Sequence, residues 1–455
     1  MKISTFLRWI VTIYGLAITA FGYYFLIKQK WQLEQNYADG NRLIFRRINI
    51  NISKKRTSDL DKTRYKIDWH DYQKILLDSY REGPGEQGRP VVLSAAERIN
   101  EDQLFAVNGF SGAVSDKISL YRSLRDIRHP DCKHKKYLKN LPKVSVIIPF
   151  YNEHWTTLLR TIYGVLWRSP PELIQEIILV DDFSTKNHNK KPLSDYVREN
   201  FEKVKLIRNY KREGLIRSRL QGAKTAKAEV IVFLDSHVEP SVNWLPPLLE
   251  PIVLNEKTVV CPFIDVIDHT TFSQFAQDEG ARGAFDWKLN YKRLPRLKGD
   301  KIDPTETFES PVMAGGLFAM NKTWFWTLGG YDPHLDIRGA EQFEISFKIW
   351  LCGGQILDAP CSRVAHIYRK FIPYSSSVKA YGDYLSRNHK RVAEVWMDEY
   401  KQYVYKMEPS FKRVDAGNIS QQLALRKKLR CKSFRWFLEE IAFDVVQYYP
   451  IDEEK

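Results

Sequence analysis

The stretch VIVFLDSHVEP, residues 230–240, ends an apolar run by delivering Asp235 and His237, one residue apart. In an extended chain residues i and i+2 face the same way. The pair would then offer a carboxylate oxygen and an imidazole nitrogen to one cation. Alone, the same residues also read as a polar strand end entering a turn, and the flanking sequence has to separate the two readings. SVIIPFYNE (145–153) is an apolar strand running into a polar loop. Leu158, Leu159, Ile162, Val165 and Leu166 then recur at helical spacing until Pro170-Pro171 stops them. EIILVDD (176–182) is a second strand, ending in Asp181-Asp182. A helix-compatible DYVREN leads to a third strand, VKLIRN (204–209), and EGLIRSRLQGAKTA (213–226) reads as a helix. Strands alternating with helices imply an α/β fold with a mainly parallel sheet. Two strands, read as neighbours, carry carboxylates at their carboxyl ends, where open α/β sheets bind nucleotides.

The second half is less regular. MAGGLFAM (313–320) joins paired glycines to an apolar strand, which allows backbone to approach a ligand closely. AEQFEISFKIWLCGG (340–354) is an amphipathic helix whose Phe343, Phe347, Trp350 and Leu351 read as core. QILDAPCSRVAHIYRKFIPY (355–374) reads as a strand followed by a loop carrying His366, Arg369 and Tyr374. Beside an Asp/His pair, His366 is a candidate third metal ligand.

The 455 residues carry a net charge of +15 and can bury a large core. Trp9–Ile27 runs 19 residues without a charge, enough to cross a bilayer. Ala17 and Ala20 would suit a signal peptidase, but the length favours a retained anchor. Residues 28–66 hold eleven Lys and Arg against four Asp and Glu, with little apolar periodicity, and read as a solvated stem. A nucleic-acid arm fits such an anchored chain poorly. None of the five cysteines (132, 261, 352, 361, 431) lies in a CxxC pair, which argues against a zinc finger or thioredoxin-type site. Asn51, Asn321 and Asn418 open N-glycosylation triplets.

The ordered motifs GPGEQGRPVVL, LPKVSVIIPFYNE, EIILVDDFS, REGLIRSR, FLDSH, GAFDWKL, MAGGLF, CGGQILDAPCSRVAHIYRK and NHKRVAEVWMDEY resemble the polypeptide N-acetylgalactosaminyltransferases, from about Arg81 to about Glu440. The resemblance implies a glycosyltransferase-A type fold and a Mn²⁺ held by Asp235, His237 and His366. It implies that Asp181, Arg212 and Ser236 contact the nucleotide, and that Arg369 and Tyr374 sit on a loop closing over the diphosphate. Glu341 matches a carboxylate of the sugar and acceptor region. Phe285 and Trp287 match aromatics of the peptide groove, although ordinary packing is the competing reading. Alignment with the family further implies the disulfides Cys132–Cys361 and Cys352–Cys431, with Cys261 free.

The departures are local. The family's Phe-His-Asn-Glu is here Phe150-Tyr151-Asn152-Glu153, which puts Tyr151 near the uridine. Its Trp-Gly-Gly-Glu-Asn is Arg338-Gly339-Ala340-Glu341-Gln342, which puts Arg338 at the substrate site. The resemblance ends near Glu440, so the carboxyl-terminal lectin module of most members is expected to be missing. The expected protein is a type II Golgi membrane enzyme moving GalNAc from UDP-GalNAc to Ser or Thr of acceptor polypeptides. The alternative is a catalytically impaired relative that binds UDP or peptide in the lumen. The expected organisation is a cytoplasmic tail (1–8), anchor (9–27), stem (28–80), nucleotide-binding half (81–255), acceptor half (256–440) and carboxyl-terminal tail (441–455).

Overall fold

Strand-forming runs of Val, Ile and Leu that are apolar at every position, not at alternate ones, must be covered on both faces. Val144–Phe150 (β1) is buried along its whole length. Its Val144, Val146, Ile148 and Phe150 enter one core, while Ile147 enters the other. The computed structural model describes residues 65–277, 281–297, 303–373 and 382–450. The anchor stretch Trp9–Ile27, most of the stem, and Tyr374 lie outside them. Among the described residues no helix is long and apolar enough to cross a membrane.

Ten strands form the central sheet. After β1 come Ile174–Asp181 (β2), Val204–Arg208 (β3), Val230–Phe233 (β4) and Val238–Pro240 (β5). The second half adds Thr258–Ile267 (β6), Gln274–Phe275 (β7), Phe308–Glu309 (β8), Phe318–Asn321 (β9) and Gln355–Ile367 (β10). The order is β8-β10-β6-β9-β4-β1-β2-β3, with β5 pairing β10 and β7 pairing β6. β4, β1, β2 and β3 are parallel, as the alternation with helices implies. β9 then runs antiparallel to both β4 and β6, so the sheet as a whole is mixed. Trp155–Trp167 (α1) and Pro246–Leu254 (α2) cover one face. Leu215–Thr225 (α3) and Glu341–Leu351 (α4) cover the other.

Several details differ from the sequence reading. β4 and β2 are not neighbours, because β1 lies between them. Periodicity reveals strands but not their order in the sheet. Residues 66–80 are not free stem: Lys66–Ile67 pairs with Tyr137–Leu138, and Lys66 reaches Glu250 at 2.9 Å. From Lys66 onward the chain is one compact unit. Ala442 and Val445, assigned to a tail, are fully buried in the core beside Phe434 and Phe437. Phe285 and Trp287 are core as well, not groove. Phe285 packs on Phe347 with ring centroids 5.5 Å apart, and the Trp287 indole donates to the Tyr449 carbonyl at 2.8 Å. The carboxyl-terminal segment covers them. Asn321 is buried too, its side chain accepting from Trp324 N at 3.0 Å as a helix cap, out of reach of modification. Both disulfides form as the family alignment implies, and Cys261 is a free, buried thiol.

Candidate active site

Asp235, His237 and His366 converge, each offering a ligand atom within 4.8 Å of the others. Strand alternation is not the cause. β4 ends at Phe233, and Ser236-His237 forms a turn before β5 begins at Val238. Thr161 on α1 fixes that turn by exchanging hydrogen bonds with the Val238 backbone, at 2.8 and 3.0 Å. β5 then pairs with β10 so that Val238 faces His366, and Ile367 N donates to the His237 carbonyl at 3.1 Å. His366 therefore lies on a thirteen-residue strand, not on the loop expected to follow it. Cys361, on the same strand, is tied to Cys132.

The side chains suit a divalent ion. His366 Nε2 lies 3.3 Å from Asp235 Oδ2, close to the separation of about 3 Å between adjacent ligands of a six-coordinate ion. One carboxylate with two imidazoles is a donor set that accepts first-row divalent metals. His237 presents Nδ1 to Glu153 Oε2 at 2.9 Å, which leaves Nε2 for coordination. A carboxylate behind a ligating histidine fixes its tautomer and ring orientation. Burial, helped by the Arg369 charge, lowers the His237 pKa despite Glu153, which favours the neutral, ligating imidazole. Burial alone would raise the Asp235 carboxyl, but His366 and the Arg219 charge hold it well below the ordinary carboxylate range. Arg219, fully buried on α3, reaches Asp235 Oδ1 at 3.2 Å and the carbonyls of Gly315 and Gly316 at 2.7 and 2.8 Å. A Cβ on Gly316 would stand 3.1 Å from Asp235 Oδ2, so the paired glycines let this backbone close on the trio.

Two cavities meet at the trio and share Asp235, His366 and Tyr368. The smaller, about 280 Å³, is lined by Tyr151, Glu153, Asp182, Arg212, Ser236, Arg338 and Arg369. The larger, about 530 Å³, includes Cys261, Gln277, Tyr291, Arg293 and Asp358. Arg212 pairs with Asp182 and lies over the Tyr151 ring, 3.9 Å from its centroid. Ser236 donates to Glu153 at 2.7 Å.

Other expected site residues are placed differently. Asp181 is buried and lines neither cavity. It accepts from Ser184 N at 2.8 Å and pairs with Arg208, while the adjacent Asp182 faces the smaller cavity. Arg369 grips both Glu153 oxygens at 2.7 Å, bonds the Asn108 carbonyl, and lies 4.8 Å over the Phe110 ring. It lines the smaller cavity with its charge paired to Glu153, and through Glu153 it holds His237. Glu341 opens α4 outside both cavities. Burial raises its pKa against the charge of Arg219, and among the described residues its Oε2 has no hydrogen-bond partner. Glu153, which holds His237 Nδ1, was not among the expected site residues, and its position just past the end of β1 was the available signal.

Residues 145–329 match the family model described as glycosyl transferase family 2. Fold, strand-end site and motif order thus define a glycosyltransferase of that broad class. The human polypeptide N-acetylgalactosaminyltransferase 10 is 57% identical over 385 residues, covering 84% of this chain and 63% of the relative. N-acetylgalactosaminyltransferase 6 of Drosophila melanogaster is 55% identical over 387 residues, covering 85% and 58%. A crystal structure of GalNAc-T7 with UDP, GalNAc and Mn²⁺ superposes with a TM-score of 0.77 at 43% identity, covering 81% of this chain and 69% of that one. The chain belongs to the polypeptide N-acetylgalactosaminyltransferase family. It spans somewhat less than two thirds of the length of the two curated relatives named here.

Proposed function

We propose that the chain transfers GalNAc from UDP-GalNAc to Ser or Thr hydroxyls of proteins with retained configuration, the opening step of mucin-type O-glycosylation. The observation that carries this reading is the junction of two cavities at Asp235, His237 and His366, with the second nitrogen of His237 held by Glu153. The smaller cavity, with its three arginines and the Tyr151 ring, takes the nucleotide diphosphate. The larger takes the sugar and the acceptor. A Mn²⁺ bound by the trio would supply Lewis-acid charge against the leaving diphosphate. Glu153 and Arg369 hold His237 in its ligating tautomer, and Arg219 fixes the Asp235 carboxylate. Arg212, braced on Asp182, lines the nucleotide side. Ser236 bridges Glu153 to that cavity. We place the protein in the Golgi membrane through Trp9–Ile27, with the catalytic unit in the lumen.

The test is UDP-GalNAc turnover by the full chain with a panel of Ser/Thr peptides, with Mn²⁺ and with chelator. Peptide-dependent UDP release that chelator abolishes supports the reading. UDP binding without turnover on any peptide would replace it by the impaired, binding-only relative.

A further inference from the structure

Among the described residues, the charges around the smaller cavity do not all have ion-pair partners. Arg212 is paired with Asp182, Arg369 with Glu153, and the buried Arg219 behind the wall with Asp235. Arg338 is half-buried, lines the same cavity, and its side chain makes no ion pair or hydrogen bond with another described residue. It is not on a loose loop. Asn388, fully buried, accepts from Asp336 N at 2.9 Å and donates to the carbonyls of Asp336, Arg338 and Gly339 at 2.8, 3.2 and 3.0 Å. Arg217 and Arg387 hold the Asp336 carboxylate at 2.7 and 3.1 Å. Ile337 packs so tightly on Gly214 that a Cβ there would lie 2.3 Å from the Ile337 Cα, and the Ile337 carbonyl accepts from Ile216 N at 3.3 Å. The backbone is pinned on three sides, and the loop presents to this cavity a guanidinium with no ion-pair partner among the described residues, its charge bearing on the buried Glu341 carboxyl.

We propose that Arg338 is an anion-contacting residue of this cavity, matched to the terminal phosphoryl group of the departing nucleoside diphosphate. The proposal rests on the nucleotide-sugar reading above. With the three carboxylates of the cavity wall matched by Arg212, Arg369 and Arg219, a divalent ion on the trio meets the two negative charges of a UDP-sugar. Transfer breaks the bond between the sugar carbon and the phosphoryl oxygen, and the oxygen keeps the electron pair. The carbon bonds the acceptor oxygen, and the hydroxyl proton passes to solvent. UDP therefore carries one negative charge more than UDP-sugar did, and among the described residues Arg338 is the cavity arginine without a carboxylate contact and so placed to meet it. A planar fork of donors suits phosphoryl oxygens in pairs. Charge that meets the leaving group as it develops favours the transition state over the bound substrate. Arg338 thus discriminates between UDP-sugar and UDP, a distinction that an aromatic residue at this position could not make by charge.

The experiment is calorimetry of the full chain with saturating Mn²⁺, titrated with UDP, UDP-GalNAc and uridine, for wild type, Arg338→Gln and Arg338→Lys. Arg338→Gln should weaken UDP about tenfold, in line with the loss of one charge-assisted contact, and UDP-GalNAc by clearly less. Uridine should be unchanged. Arg338→Lys should fall between wild type and Arg338→Gln for UDP, since the charge remains without the fork, and it carries the test should Arg338→Gln not fold. Raising NaCl should narrow the gap between wild type and Arg338→Gln. Equal weakening of UDP and UDP-GalNAc, or UDP affinity within twofold of wild type in both variants, overturns the proposal and leaves the nucleotide-sugar reading intact. Wild type that binds no UDP with Mn²⁺ overturns both.

Discussion

The two cavities that share Asp235, His366 and Tyr368 are built on opposite plans. In the smaller cavity most charges are matched: Arg212 with Asp182, Arg369 with Glu153, and Ser236 and His237 on the same Glu153. On the larger side burial dominates. It pushes the Asp358 carboxyl up to about 6 despite a bond from Ser310 and nearby arginines, and it raises the Cys261 thiol and the Tyr291 phenol. One wall is organised around paired charges, the other around groups whose ionisation burial disfavours, with Lys292 and Arg293 also in its lining. The difference fits a cleft that holds a diphosphate at one end and a neutral sugar and hydroxyl at the other.

The matched wall is broken most directly at Glu153. Glu153→Gln keeps the shape but removes the charge that holds His237 and Arg369. Loss of such a partner typically costs 10–100-fold in metal affinity, and Mn²⁺ titration followed by calorimetry or electron paramagnetic resonance reads it. Unchanged Mn²⁺ affinity in a folded Glu153→Gln protein would mean that His237 needs no support from Glu153.

The buried wall is probed by pH. The Asp358 carboxyl has a folded value of about 6 against an ordinary 3.8, so the native state holds its proton more tightly than the unfolded chain. Its contribution is most favourable below the ordinary value and is lost as pH rises from about 4 to about 6. Asp358→Asn removes that loss, so the variant should gain on wild type by about 1–3 kcal/mol across this window. Thermal melts of both proteins at matched pH check it, and parallel pH profiles would place Asp358 in water, not in a dry wall.

How much of this was legible follows the same division. β1, β2, β4, α1 and α4 could be read from apolar runs and helical spacing, because local periodicity fixes which face is covered. The metal pair could be read from two residues, although the turn at Ser236-His237 and not strand alternation brings them together. Glu153 escaped because its place depends on β1 lying between β4 and β2, and sheet order is not a local property. Phe285 and Trp287 failed as groove residues for the same kind of reason. Their cover is supplied by residues around 400–450, far along the chain. Asp181 and Asp182 could not be told apart at the end of β2, since only the tertiary fold decides which one faces the cavity.

The smallest expected effect lies in the pinned loop. Ala340 is held at φ 67°, a left-handed conformation that suits glycine, and caps α4. Ala340→Gly should stabilise the folded chain by about 0.5–1 kcal/mol, relief of strain outweighing the entropy gained by the unfolded chain. A lower unfolding midpoint in denaturant would show that the loop carries no strain there.

The central claim is that Asp235, His237 and His366 hold the ion that completes the nucleotide site. Calorimetry of UDP binding to the full chain, with and without Mn²⁺, tests it in wild type and in Asp235→Ala. The account predicts that Mn²⁺ strengthens UDP binding at least tenfold in wild type and not at all in Asp235→Ala. The same metal-dependent gain in both proteins would contradict it.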